Sequence, residues 1–167
     1  MTISGQDLMV FVKEGTTYNS IAFATSHTLD VNMEQVDAST KDSGNGYWQN
    51  SEPGMMSWSM STENLMSDIA EHGLSYNALF ELMLKRQTVD VVFSLQTNNI
   101  DYATKLDTEF EVPSTGWTCD ASNNYHGKAY ITALSVTATN GEKATYSATF
   151  TGAGALLKAG AGIEKKK

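Results

Sequence analysis

Very little in this chain points to covalent bracing or to cofactor chemistry. Cys119 is its one cysteine, which excludes an internal disulfide framework. No run is long or apolar enough to span a bilayer. The first residues, MTISGQDLMVFV, have no basic stretch ahead of a long apolar core, so no secretory signal is expected there. Hydrophobic residues make up 41% and mean hydropathy is −0.29, which describes a soluble chain rich in Ser, Thr, Asn and Gly. Cations are scarce. Three of the eleven are the terminal Lys165, Lys166 and Lys167, which leaves eight against nineteen anions, a body charge of −11. Such a body does not bind nucleic acid through its phosphates.

Catalytic patterns are equally thin. His27, His72 and His126 are scattered without metal-ligand spacing. No glycine loop enters a helix to cradle phosphate, and no GxSxG elbow is present. Nothing near Cys119 marks it as a nucleophile. Glu109 and Glu111 share one face of an expected strand, a pair read as a solvated face rather than glycoside chemistry. The expectation is no enzyme, no cofactor and no metal.

What is present is β-structure, most legibly from Ala129 to Thr151. Tyr130, Leu134, Val136 and Ala138 share one parity, with Thr132 its polar member; Tyr146, Ala148 and Phe150 alternate with Thr145, Ser147 and Thr149. This is a hairpin with one face on a core. A two-residue Asn140-Gly141 turn would set the apolar faces on opposite sides. A three-residue loop, Thr139 to Gly141, with Gly141 in a G1 bulge, repairs that. It predicts Val136 opposite Ala144, Leu134 opposite Tyr146 and Tyr130 opposite Phe150, with Tyr130, Leu134, Val136, Tyr146 and Phe150 as hairpin core.

The rest of the chain adds short strands. Leu8 to Val12 is an apolar run fit for a buried strand. Residues 21–25 and 28–33 alternate as two half-buried strands, or one bent near Ser26-His27. Val36 to Gly54 has no period and is dense in Ser, Asn, Asp and Gly around Tyr47 and Trp48. A long loop with two aromatics is expected to order against a partner. Met56, Trp58 and Met60 alternate with serines, and Glu63 to Gly73 is ambiguous. Ser75 to Arg86 is the clear helix: Ser75 is a candidate cap, Tyr76, Leu79, Phe80 and Met83 form the packing stripe, and Lys85 and Arg86 suit its C-terminal end. A strand over 88–95 turns Val89, Val91, Phe93 and Leu95 inward. Glu109 to Val112 is expected as a strand and Ser114 to Asn124 as a loop. Taken together, the chain is mainly β: a two-sheet β-sandwich or rolled barrel with one flanking α-helix and a long inter-strand loop. Residues 1–157 form the domain and 158–167 a flexible tail.

Two stretches carry a resemblance. In the first stand Asp37, Ser39, Thr40, Lys41, Asp42, Ser43, Trp48, Pro53, Gly54, Ser57, Trp58 and Ser59; in the second Gly152, Gly154, Ala155 and Leu156. In this order they resemble the major tail tube proteins of long-tailed, non-contractile (siphovirus) phages, the TP901-1-like tail tube family. The chain departs from that pattern where Asn45-Gly46-Tyr47 widens the loop, and residues 101–124 match nothing in it.

The resemblance implies a structural virion protein. Six copies form a ring by joining their sheets, and rings stack into a hollow tube, assembled in the host bacterial cytoplasm. The tube encloses a tape-measure protein, meets tail terminator and distal tail or baseplate proteins at its ends, and conducts DNA without specific binding. No membrane is involved. Under that reading the loop, with Asp37, Ser39, Thr40, Lys41, Asp42, Ser43, Tyr47, Trp48 and Pro53, reaches a neighbouring ring or subunit. The acidity then either lines a lumen that repels phosphate or keeps the free chain soluble. The alternatives are a tube protein of a type VI secretion or contractile system, and a β-sandwich carbohydrate-binding or adhesin module using Trp48, Trp58 and Trp117.

Overall fold

The computed structural model describes residues 3–42, 48–67, 72–97 and 116–159. The strand expected over 109–112, and Ser43 and Tyr47 of the loop, lie outside them. Among the described residues, eight strands and one helix follow in order: β1 Leu8–Glu14, β2 Thr17–Ser20, β3 Ala24–Asp37, β4 Ser51–Leu65, α1 Tyr76–Leu84, β5 Val89–Gln96, β6 Cys119–Thr137, β7 Thr145–Gly152 and β8 Leu157–Lys158. These strands join one antiparallel sheet in the order β2-β1-β5-β6-β7-β4-β3, with β8 paired to β6 beside the end of β7. The mainly-β reading with one helix holds. Two separate sheets are not seen among the described residues: one sheet rolls over until β1 meets β3, where the Val10 N–H reaches His27 Nδ1 at 3.4 Å.

Its inner face is the core. Val10 and Val12 of β1, Val91 of β5, Ala129 and Ile131 of β6, Ala148 and Phe150 of β7, and Trp58 and Met60 of β4 are buried together, and Leu79 of α1 covers them. The continuous apolar run of β1 is buried on both faces, because Phe11 packs on the outer side beside its partners Val92 and Ser20. The Ser20 hydroxyl accepts the Trp117 N–H at 3.0 Å. A Cβ at Gly73 or Gly116 would collide with Ser20, which is why the chain can close so tightly there. Trp58 is seated by the same device. Gly127 and Gly152 leave room for its ring, and its Nε1–H donates to the Gly154 carbonyl at 2.8 Å.

Several sequence expectations change. The hairpin ladder runs from Thr137 opposite Thr145, with Val136 opposite Tyr146 and Leu134 opposite Ala148, two residues away from the expected register. A two-residue shift preserves every face, so alternation cannot tell the two apart. The turn is longer, with Gly141 left-handed (φ 87°) and the Glu142 N–H on the Thr139 carbonyl. Thr132 then bulges out, its hydroxyl 2.9 Å from that of Thr151, so that Ile131 rather than Tyr130 faces Phe150. Tyr130 is turned to the outer face and exposed; Val136 is half exposed near the tip; Leu134 packs against the core; Tyr146 and Phe150 are buried.

The segment 24–37 is one long strand with an irregularity at Thr25, and most of it is exposed rather than half-buried. Residues 119–124 belong to β6, not to a loop. The segment after Gly152 pairs again through β8, and the Ala159 N–H donates to the Asn124 carbonyl, so pairing runs past the boundary expected after residue 157. In α1, Ser75 has cap backbone geometry without a side-chain cap bond. Leu79 is buried, and Tyr76, Ala78, Leu82 and Met83 pack on the core, whereas Phe80 is 44% exposed. The inward stripe thus runs through Ala78 and Leu82 instead of Phe80.

Candidate assembly surface

Beyond Trp58 the sheet thins to two strands. The pairing of β4 with β7 begins at Ser59, while β3 and β4 stay paired out to Asp37 opposite Ser51. The result is a projecting two-stranded arm. Much of the expected loop is therefore strand: Pro53 pairs with Gln35, Glu52 with Val36, and the Ala38 N–H donates to the Asn50 carbonyl. Proline suits this place because each arm strand has a partner on one side alone.

Ser39 fastens the arm's end. Its N–H donates to Asp37 Oδ1 at 2.8 Å and its hydroxyl accepts the Asn50 N–H at 2.9 Å. The backbone bond from Ser39, with its side chain adding to it, holds the Asp37 carboxyl below the usual carboxylate range. Thr40, Lys41 and Asp42 follow in an exposed turn, and Trp48 is 85% exposed. An indole that open in a lone chain lacks the burial that its surface favours.

The arm's flanks are also apolar. Val31, Met33, Val36, Met55 and Met56 are all exposed, Met56 by 69%. Single exposed apolar residues mean little, but Val31, Met33 and Met56 share one face of the hairpin, a patch of the kind that marks a contact surface, while Val36 lies on the other face. Composition could not reveal this, since the Met56–Trp58–Met60 alternation reads as core along its whole length.

The outer face of β3, β4, β7 and β6 has a different character. Its cross-strand rows are Ser26–Glu63–Ser147–Ser135, Thr28–Ser61–Thr149–Ala133 and Asp30–Ser59–Thr151–Tyr130. Asp30 and Glu63 are the charges in those rows, and no cation enters them. Two strands, β2 and β3, leave one edge without a partner among the described residues.

Other chemistry is sparse. Among the described residues no three His, Cys, Asp or Glu side chains converge to hold a metal, and no helix is long and apolar enough to cross a membrane. Burial pushes the Cys119 thiol up, away from the reactive thiolate. A cleft of about 520 Å³ lies between Met9, Phe23, His27, His72 and Trp117. Burial lowers His27 there to about 4, which keeps its imidazole neutral and its Nδ1 able to accept the Val10 N–H. Trp58 is buried, which removes it from any sugar-stacking platform, while Trp117 is half-buried in the wall of that cleft.

A rolled antiparallel sheet with edges unpartnered among the described residues and a projecting apolar arm is a fold that presents contact surfaces to other chains. The chain belongs to the phage tail tube protein family, whose model matches residues 2–158. Solved structures share the fold. The tail of an empty gene transfer agent particle, refined with C6 symmetry, is 17% identical with a TM-score of 0.69, over 95% of this chain and 99% of that one. The SPP1 tail tube is 13% identical with a TM-score of 0.62, over 95% and 80%. The anti-feeding prophage baseplate is 11% identical with a TM-score of 0.57, over 98% of each. No curated protein sequence matches. The chain's role is that of a structural tail tube protein, a component of the virion.

Proposed function

We propose that six copies close into a ring and that rings stack into a hollow tube, with no catalytic step. The observation that carries this is the arm: a paired, ordered projection whose apolar residues stay uncovered by the rest of the described chain. In the tube the residues from Asp37 to Pro53 reach the neighbouring ring or subunit, where Trp48 anchors the contact. Lys41 and Asp42 add surface ion pairs of small individual worth. The open edges of β2 and β3 continue the sheet from copy to copy.

The hydroxyl-rich outer face of β3, β4, β7 and β6 lines the lumen. Six copies then place Asp30 and Glu63 in two carboxylate rings, and DNA slides past hydroxyls and negative charge without a cation to hold it. This favours the lumen reading of the acidity over simple solubility. A tape-measure protein fills the tube before DNA does, terminator and baseplate proteins cap its ends, and assembly takes place in the host cytoplasm. The test is to replace residues 40–49 by an Asn-Gly turn, which leaves the Ser39–Asn50 end of the ladder joined. The variant is expected to fold with an unchanged melting temperature and to form no tubes under the electron microscope. Tubes of parental length would contradict the arm's role.

A further inference from the structure

Exposed sulfur is concentrated on the arm. Met33 and Met56 stand opposite each other across β3 and β4, and Met55 adjoins them. In the free chain Met33 is 53% exposed and Met55 81%. Other thioethers are sheltered: Met60 is fully buried, Met9 is half-buried in the cleft wall, and Met83 packs on the core. Met66, just past the end of β4, is the remaining exposed one among the described residues. Cys119 does not compete as a reactive sulfur, because it is half-buried and its thiol is pushed up, away from the thiolate.

Leucine would supply similar apolar area at Met33 and Met56. Methionine adds a flexible stem and a sulfur lone pair. Hydrogen peroxide reacts at that lone pair: an S–O bond forms, the O–O bond breaks, sulfur is oxidised to the sulfoxide and the peroxide is reduced to water. Access selects the sulfur, so the arm reacts ahead of the core. The product changes the patch and spares the fold. On the free chain each new oxygen is hydrated, and the layer inside, Leu29 opposite Met60, holds none of the reacting sulfurs. In an apolar contact the same oxygen is stripped of water without gaining a donor, which opposes burial. Met33 and Met56 share one face, so one copy brings two such oxygens to one patch.

We propose that the Met33–Met56 pair is an oxidation site of the free chain, at which a peroxide makes two sulfoxides and so blocks assembly. This rests on the tube reading, in which the arm's apolar face is covered in the assembled state, and it gives that face a chemical switch. The block is reversible: two thiols reduce each sulfoxide to the thioether, leaving a disulfide and water, the reaction of a thiol-dependent methionine sulfoxide reductase. Assembly closes the site, because a covered sulfur is out of reach of the oxidant.

The test treats the full chain, carrying Cys119→Ser, with hydrogen peroxide before assembly. Peptide mass spectrometry is expected to find about 16 Da added at Met33, Met55 and Met56 and none at Met60. The oxidised chain is expected to keep its melting temperature and to need at least a tenfold higher concentration to assemble. Methionine sulfoxide reductase with dithiothreitol is expected to restore assembly. M33L/M56L, a volume-conserving change, is expected to assemble as the parent does and to keep doing so after peroxide, whereas Met55→Leu alone is expected to lose assembly like the parent. Preformed tubes are expected to retain both thioethers. An oxidised parent that assembles normally, an M33L/M56L chain that peroxide still disables, or tubes whose Met33 and Met56 oxidise as fast as in the free chain would overturn the switch and leave the tube reading intact. An untreated chain that forms neither rings nor tubes would overturn the tube reading and the switch with it.

Discussion

At the scale of single residues, Trp58 is where the molecule is least tolerant. Its ring fills the space that Gly127 and Gly152 leave, and its N–H satisfies the Gly154 carbonyl. Gly152→Ala forces a methyl into that ring and is expected to cost roughly 1–3 kcal/mol by urea unfolding. Trp58→Phe, which keeps an aromatic but removes the donor, is expected to cost a similar amount. His27 makes stability depend on pH. The unfolded chain takes up its proton near 6.5, the folded chain near 4. The contribution is therefore whole above pH 6.5 and is lost as pH falls from 6.5 through 4, by up to about 3 kcal/mol. Unfolding measured at pH 7.5 and 4.5 should show that loss in the parent and a smaller one in His27→Gln. Thr132 was visible in the sequence as the polar member of an apolar parity. That it bulges, and so exchanges Tyr130 for Ile131 in the core, depends on the partner strand and was not legible in one strand alone.

At the scale of elements, local pattern located most strands and the helix but not their surroundings. The alternation of Met56, Trp58 and Met60 is uniform, yet Trp58 and Met60 are inside and Met56 is out on the arm, because β7 stops beside Ser59. The arm's end reads as structureless because Val36 is the one large apolar residue in its two strands, Gln35 to Asp37 and Ser51 to Gly54, so no alternation shows, and cross-strand pairing rather than burial holds them. The helix period allowed either Phe80 or Leu82 to complete the inward stripe. What decides is where the sheet lies beneath α1. Trp48 belongs to this scale as well. Trp48→Ala is expected to leave the free chain's stability within about 0.5 kcal/mol of the parent, as for other surface changes, and to slow tube growth, followed by light scattering. An unfolding midpoint that falls with tube growth unaffected would contradict the anchor role.

At the scale of the whole molecule, a single rolled sheet and a two-sheet sandwich contain the same strands. The sequence carries no sign of the roll, which is fixed by β6 pairing with β5 along its first half and with β7 along its second. That roll separates an apolar inner face from the hydroxyl face bearing Asp30 and Glu63. With D30K/E63K, tubes are expected to form and to retain short DNA at low salt, whereas parental tubes retain none; sedimentation with labelled DNA reads this directly. Equal retention would place that face away from the lumen.

The measurement that bears most directly on the account is electron microscopy of the purified chain at high concentration, with light scattering of the same sample. Stacked rings of six with a central channel are the predicted result. A chain that remains monomeric at high concentration, and again when co-expressed with a tape-measure protein, would contradict it.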